Sequence, residues 1–249
     1  MRRKKIVLLT CSFMLCICLA VHAEVSFSGE ADPPDAKLVL WYRQPAPDWE
    51  WESKALPIGN GRLGAMIFGG VAQDHIQFNE KTMWTGSETE RGSYQNFGDM
   101  YIDFSGLTAV SDYRRELNIE ESVARVVYNV DTTHYTREYF ASYPDNVIIM
   151  HFSSNQTNNL NFTVRLTDAH TGNMSASGNR ITMSGSLTLL SYEAQVAVTT
   201  DGGHVSTSDN QIIVSSATAA TVILAGSTNF DPLSRNYLGG DLHDRITSQ

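Results

Sequence analysis

Two short stretches place carboxylates beside flat aromatic rings: Trp49-Glu50-Trp51-Glu52 and Asn79-Glu80-Lys81-Thr82-Met83-Trp84. Aromatic faces stack on the C–H faces of sugar rings, and Asp, Glu, Asn and Arg side chains hydrogen-bond the hydroxyls, so both stretches carry the ingredients of carbohydrate recognition. Cleaving a glycosidic bond asks for more: two carboxyl groups across the bond, about 5 Å apart for retention or roughly 6.5 to 9.5 Å for inversion. Spacing along a chain does not reveal such a pair. The competing role for each tryptophan is packing in a core or interface, and for Glu80 a hydrogen-bonded turn.

Other motifs lead away from chemistry. Gly59-Asn60-Gly61-Arg62-Leu63-Gly64 matches the dinucleotide pattern GxGxxG. That pattern needs a buried strand before it and a helix after it, whereas Pro57 precedes it and Ala65-Met66-Ile67-Phe68 reads as a strand, so a tight hairpin turn is expected. The histidines, His22, His75, His134, His151, His170, His204 and His243, are widely spaced and form no HExxH pair, so no metal site is expected and His151 reads as a strand residue. No serine stands in a GxSxG elbow. No cofactor is implied.

The elements that would hold these residues are strands. Leu160, Phe162, Val164 and Leu166 alternate with polar residues, and Tyr192, Ala194, Val196 and Val198 recur at the same spacing, which is the period-two pattern of a sheet strand. Further strands are expected at 65–68, 75–78, 100–104, 122–130, 134–139, 147–152, 180–190, 211–214 and 221–225, separated by turn signals such as Gly69-Gly70, Pro144-Asp145 and Asp201-Gly202-Gly203. The fold class this predicts is all-β, a large antiparallel sandwich, with one short helix near residues 241–247.

The 249 residues include 18 basic and 27 acidic side chains, a net charge of −9, which argues against nucleic acid or an anionic membrane surface as partner. Arg2, Arg3, Lys4 and Lys5, an apolar run from Ile6 to Val21 and the small-residue end Val21-His22-Ala23 predict a signal peptide over 1–23 and an exported product, periplasmic or extracellular. All three cysteines, Cys11, Cys16 and Cys18, fall inside it, so the exported product is expected to lack thiols and disulfides. Residues 24–36, with Asp32-Pro33-Pro34-Asp35, read as a flexible lead-in.

Several linked motifs occur in order. Leu40-Trp41-Tyr42, Ala55-Leu56-Pro57-Ile58-Gly59-Asn60-Gly61-Arg62-Leu63-Gly64, Ile76-Gln77-Phe78-Asn79-Glu80 and Trp84-Thr85-Gly86 are followed by Tyr94-Gln95-Asn96-Phe97-Gly98-Asp99, Tyr135-Thr136-Arg137-Glu138 and Phe140-Ala141-Ser142-Tyr143-Pro144-Asp145. This series closely resembles the N-terminal domain of glycoside hydrolase family 95, the α-L-fucosidase family, over residues 37–230. The resemblance implies a β-super-sandwich of the galactose-mutarotase-like, two-sheet kind. It also implies fucosylated glycan as substrate and, as partner, a helical (α/α)6 barrel in which a Glu acid and an Asp with Asn side chains perform inverting hydrolysis. Only 19 residues follow Phe230, against about 130 for twelve average helices. Residues 231–249 are therefore read as the start of a linker, and no catalytic residue is expected in this chain.

Arg62, Asn79, Glu80 and Trp84 are carried over from the resemblance as substrate-edge or barrel-interface positions. One departure bears on them: Gly86 reaches Tyr94 through only Ser87-Glu88-Thr89-Glu90-Arg91-Gly92-Ser93, where the family has a helical insertion. Three functions follow as alternatives: part of an exported fucosidase-like enzyme, inactive alone; a stand-alone carbohydrate-binding or scaffold module; or a sandwich that completes a separately encoded barrel.

Overall fold

The computed structural model describes residues 24–249 except 88 and 105. The expected signal peptide, with Cys11, Cys16 and Cys18, lies outside the described residues. In chain order the strands are β1 (Ser26–Ser28), β2 (Val39–Tyr42), β3 (Leu56–Gly59), β4 (Leu63–Ile67), β5 (Gln73–Glu80), β6 (Trp84–Thr85), β7 (Ser93–Tyr94), β8 (Gly98–Phe104), β9 (Ala109–Asn118) and β10 (Val123–Val130). They continue with β11 (Thr133–Ser142), β12 (Val147–Ser154), β13 (Leu160–Asp168), β14 (Asn173–Ser177), β15 (Arg180–Ser186), β16 (Ser191–Asp201), β17 (His204–Ser208), β18 (Gln211–Ala217) and β19 (Ala219–Thr228). A 3-10 turn over Asp48–Glu50 and two short α-helices, α1 (Trp51–Lys54) and α2 (Leu242–Thr247), complete the elements.

The strands form the expected sandwich. One sheet has the order β1-β9-β10-β11-β12-β19-β16-β15-β14, with β2 also on β9, and the other β17-β18-β13-β8-β5-β4-β3. Pairing is antiparallel except where β1, inside the segment read as a lead-in, runs parallel to β9 from Ser26 opposite Ala109. The period-two pattern decides which side chains face inward. On β13, Leu160, Phe162, Val164 and Leu166 are buried, and they meet residues such as Met150 and Phe152 of β12 in one core. Phe152 packs edge-on between Phe104 (5.7 Å) and Phe162 (5.6 Å), which ties the two sheets together. The strand expected over 180–190 stops at Ser186, where Leu187 N–H bonds Leu190 C=O at 2.7 Å and turns the chain. GxGxxG is the β3–β4 hairpin turn, with Gly61 at φ +86°, and His151 lies on β12.

Polar groups also join the layers. Arg137 of β11 is buried and donates to the carbonyls of Gly70 (2.7 Å) and Val71 (2.9 Å), 3.6 Å from the buried Asp74 carboxylate of β5. Asp74 accepts from Tyr139 O–H and, at 3.1 Å, from Gly69 N–H. Burial raises the pKa of Asp74 above the usual carboxylate value, with the Arg137 charge acting in the opposite direction.

On the outer face of the smaller sheet, His75 stacks between Phe68 (4.1 Å) and Tyr101 (4.7 Å). Its Nδ1 lies 2.9 Å from Asp48 and its Nε2 2.8 Å from Asp99. This fastens the turn that leads into α1 onto the sheet. Burial works against the charged ring, yet the hydrogen bonds and charges of Asp99 and Asp48 outweigh it and raise its pKa.

Candidate functional site

The hairpin ends at one end of the sandwich bring the predicted residues together. Asn60 organises the β3–β4 turn: its Oδ1 accepts from Arg62 N–H (2.9 Å) and Leu63 N–H (2.8 Å). Its Nδ2 donates to Ser142 C=O at 2.7 Å and so latches this turn to the end of β11. An Asn side chain is suited to this because it mimics a backbone turn while offering a spare donor.

Arg62 then reaches across to Glu80 at the end of β5, with Nε 3.0 Å from Oε1. Its second contact is Nη2 to Ser227 Oγ of β19, at 2.8 Å. Glu80 is fully buried, and its other oxygen accepts from Thr82 N–H at 2.7 Å and from the Thr82 hydroxyl. Both carboxylate oxygens are thus occupied, which is a structural arrangement for this group. From α2, Arg245 also donates to Ser227 Oγ, at 3.1 Å.

Asn79 faces a different neighbour: its Nδ2 donates to Gln95 C=O at 2.9 Å and holds the chain that follows β7. Trp84 lies on β6, paired with Tyr94 of β7, their rings 6.0 Å apart. The indole N–H bonds Arg91 C=O at 2.7 Å, and 41% of the residue remains exposed. The short 86–92 connection therefore closes as a hairpin. Gly92 enables it: its φ is +65°, and a Cβ there would lie 1.3 Å from Thr85 O.

Two cavities open at this end and share Lys81. The larger, about 880 Å³, is lined by Trp84, Glu90, Arg91, Leu189, Phe230 and Tyr237 among others. Phe230 and Tyr237 stack in parallel at 6.2 Å, brought together by the bridge from Phe230 to Leu238. The smaller, about 440 Å³, lies between the β3–β4 and β11–β12 turns, with Asn60, Arg62, Lys81, Tyr143 and Asn146 in its wall. Aromatic faces, amides and cations in adjoining hollows suit an extended polyhydroxylated ligand.

Of the residues selected from sequence, Arg62 and Glu80 meet directly, Trp84 lines the larger cavity, and Asn79 lines neither. Trp49 and Trp51 do not join them. They ride on the turn and α1 held by His75, with Trp49 83% exposed and Glu50 paired to Lys54 at 2.7 Å. Sequence reading missed Ser227 and Asn146, which reach the site through sheet topology, and Tyr237, which the bridge from Phe230 to Leu238 folds back onto it. Tyr143-Pro144-Asp145-Asn146 carried a turn signal that could have marked Asn146. Among the described residues, no three His, Cys, Asp or Glu side chains gather as metal ligands would, and no helix is long and apolar enough to cross a membrane.

The family model described as glycosyl hydrolase family 65, N-terminal domain, matches residues 40–93 and 87–233. The chain is similar to Alpha-L-fucosidase 2 of Arabidopsis thaliana, with 30% identity over 260 residues that cover 78% of this chain and 30% of that protein. It is also similar to "Probable alpha-fucosidase A" of Aspergillus niger, 26% identical over 252 residues, covering 79% of this chain and 31% of that protein. The chain thus spans about a third of the length of these relatives. Among solved structures, a glycoside hydrolase of family 81 from Clostridium thermocellum aligns with a TM-score of 0.41 and 12% identity over 86% of this chain and 28% of that one.

Proposed function

Because the chain belongs to the family of glycosyl hydrolase family 65 N-terminal domains, we propose that it is the N-terminal β-sandwich of an α-L-fucosidase-like hydrolase of the family 95 type. The two fucosidase relatives support the narrower assignment, as do the ordered motifs from Trp41 to Asp145. In this reading the enzyme acts on fucosylated glycans, and a helical-barrel partner domain supplies the acid and the water-activating groups. The basic, apolar and small-residue pattern of residues 1–23 supports export.

The observation that carries the division of labour is the state of the carboxylates at the site. Glu80 is buried with both oxygens bonded, and among the described residues Glu90 is the one carboxylate in the walls of the two cavities. Glycoside cleavage of the usual kind needs an opposed pair. The sandwich therefore holds and orients glycan or barrel, and by itself leaves the glycosidic bond intact.

The test is a fusion of this chain to the remaining portion of the Arabidopsis relative, assayed for the monosaccharide it frees from fucosylated oligosaccharides. Release of fucose is expected. A folded fusion that frees a different sugar, and never fucose, contradicts the assignment.

A further inference from the structure

Arg62 is a cation fixed in place at the wall of an open cavity. Glu80 and Ser227 hold Nε and Nη2, the same edge of the guanidinium, and among the described residues Nη1 has no acceptor. A guanidinium has five N–H donors in a rigid fork, so the outer edge stays available and pre-aimed. Lys81 is exposed and has no carboxylate partner among the described residues. Asn146 uses its Oδ1 for Asn60, at 3.4 Å, which leaves its amide hydrogens for a ligand. Tyr143, 81% exposed, stands beside them as a flat face.

Arg62 Nη1, the Lys81 ammonium and Asn146 Nδ2, the groups left without a partner here, are all donors, and none of the described residues lining this 440 Å³ cavity is acidic. That is unusual company in a chain of net charge −9. Of the two carboxylates adjacent in sequence to the cavity lining, Asp145 is occupied by Ser142 Oγ at 2.6 Å, and buried Glu80 by Arg62 Nε at 3.0 Å and Thr82 N–H at 2.7 Å. The adjoining cavity, which shares Lys81, supplies the aromatic surfaces of Trp84, Phe230 and Tyr237.

We infer that the cavity between the β3–β4 and β11–β12 turns binds an anionic substituent, sulfate or carboxylate, of an oligosaccharide whose neutral rings lie along the Trp84 face. The inference rests on the glycan-handling reading above and narrows it to acidic glycans. Arg62 donates to the anion from its free outer edge, Lys81 closes over it, and Asn146 Nδ2 completes the donor set.

Calorimetric titration of the purified chain tests this with four probes: a sulfated fucan oligosaccharide, the same oligosaccharide after desulfation, a uronate-bearing oligosaccharide and inorganic sulfate. An acidic oligosaccharide should bind on the order of tenfold more tightly than the desulfated one, with an affinity that falls as salt rises. Lys81→Gln should reduce that preference several-fold, whereas Lys37→Gln, which removes a charge outside the cavity, should leave it intact. Equal binding of acidic and desulfated oligosaccharides overturns the inference and leaves the fucosylated-glycan reading standing. So does inorganic sulfate binding as tightly as the sulfated sugar, since the glycan then contributes nothing. Absence of binding by all four also overturns it, while the family assignment continues to be judged by fucose release from the fusion.

Discussion

Arg62 Nε donates to Glu80 Oε1 at 3.0 Å, from a side chain 36% exposed to one that is completely buried. The burial is unequal, and so are the consequences of removing each partner. Without Arg62, a carboxylate inside the protein loses its counter-ion; without Glu80, the guanidinium can still reach water. Arg62→Met should therefore cost about 3 to 5 kcal/mol, and Glu80→Gln about 1 to 2 kcal/mol, because the amide can retain the contact with Thr82 N–H. Urea unfolding of the two variants gives the comparison. Equal or negligible losses would show that the pair is solvated and does not anchor the turn.

Asp74 and Arg137 form the corresponding pair between the sheets, with both partners buried. Asp74→Ala leaves the Arg137 charge without its carboxylate and should cost about 3 to 5 kcal/mol. The double variant Asp74→Ala/Arg137→Met removes both charges and should recover part of that loss, giving a coupling energy of about 1 to 3 kcal/mol. Additive losses in a double-mutant cycle would deny the coupling.

The His75 clamp makes stability depend on pH. Burial lowers the pKa, but the bonds to Asp99 and Asp48 raise it further, so the folded protein holds the ring proton more tightly than the unfolded chain does. The added stability is present in full below the unfolded value, about 6.5, and is lost as pH rises through the higher folded value. The imidazole resonances of His75 should titrate above the free value of about 6.5. In His75→Gln the decline of the thermal midpoint from about pH 6 to about pH 9 should become shallower. An unchanged decline would remove His75 as its source.

Gly61 and Gly92 both have positive φ, +86° and +65°, but only Gly92 is crowded. Gly61→Ala meets nothing within 4 Å and should cost about 1 kcal/mol of backbone strain. Gly92→Ala drives a methyl into Thr85 O and should open the β6–β7 hairpin, which the fluorescence of Trp84 would report in a background lacking the other tryptophans. Similar behaviour of the two variants would mean that the 86–92 connection is not held as described.

The two-sheet fold was legible because inward positions on β13 alternate strictly with polar ones, and β16 keeps the same spacing through Tyr192, Ala194, Val196 and Val198, interrupted only at Ala197. Strands with one or two apolar residues were not: β14 reads Asn-Met-Ser-Ala-Ser and β17 His-Val-Ser-Thr-Ser, and each is an edge strand with one neighbour. The Arg62–Glu80 neighbourhood was legible through its motifs, since β4 and β5 are adjacent in sequence and in the sheet. Ser227 is 165 residues from Arg62 and meets it only because β19 crosses to the same end of the sandwich. Asp48, His75 and Asp99 likewise come from three separate segments, so no local spacing announces the clamp. The aromatic content of Trp49-Glu50-Trp51-Glu52 pointed toward sugar chemistry, yet that segment sits on the outer face of the smaller sheet, outside both cavities.

We propose that this sandwich handles glycan or barrel while the bond-breaking carboxylates belong to another domain. It is tested most directly by measuring fucose freed from an α-L-fucosyl oligosaccharide by the purified chain alone. No release above the buffer blank is predicted. Sustained turnover by this chain, lost on substitution of Glu80 or Glu90, would contradict it.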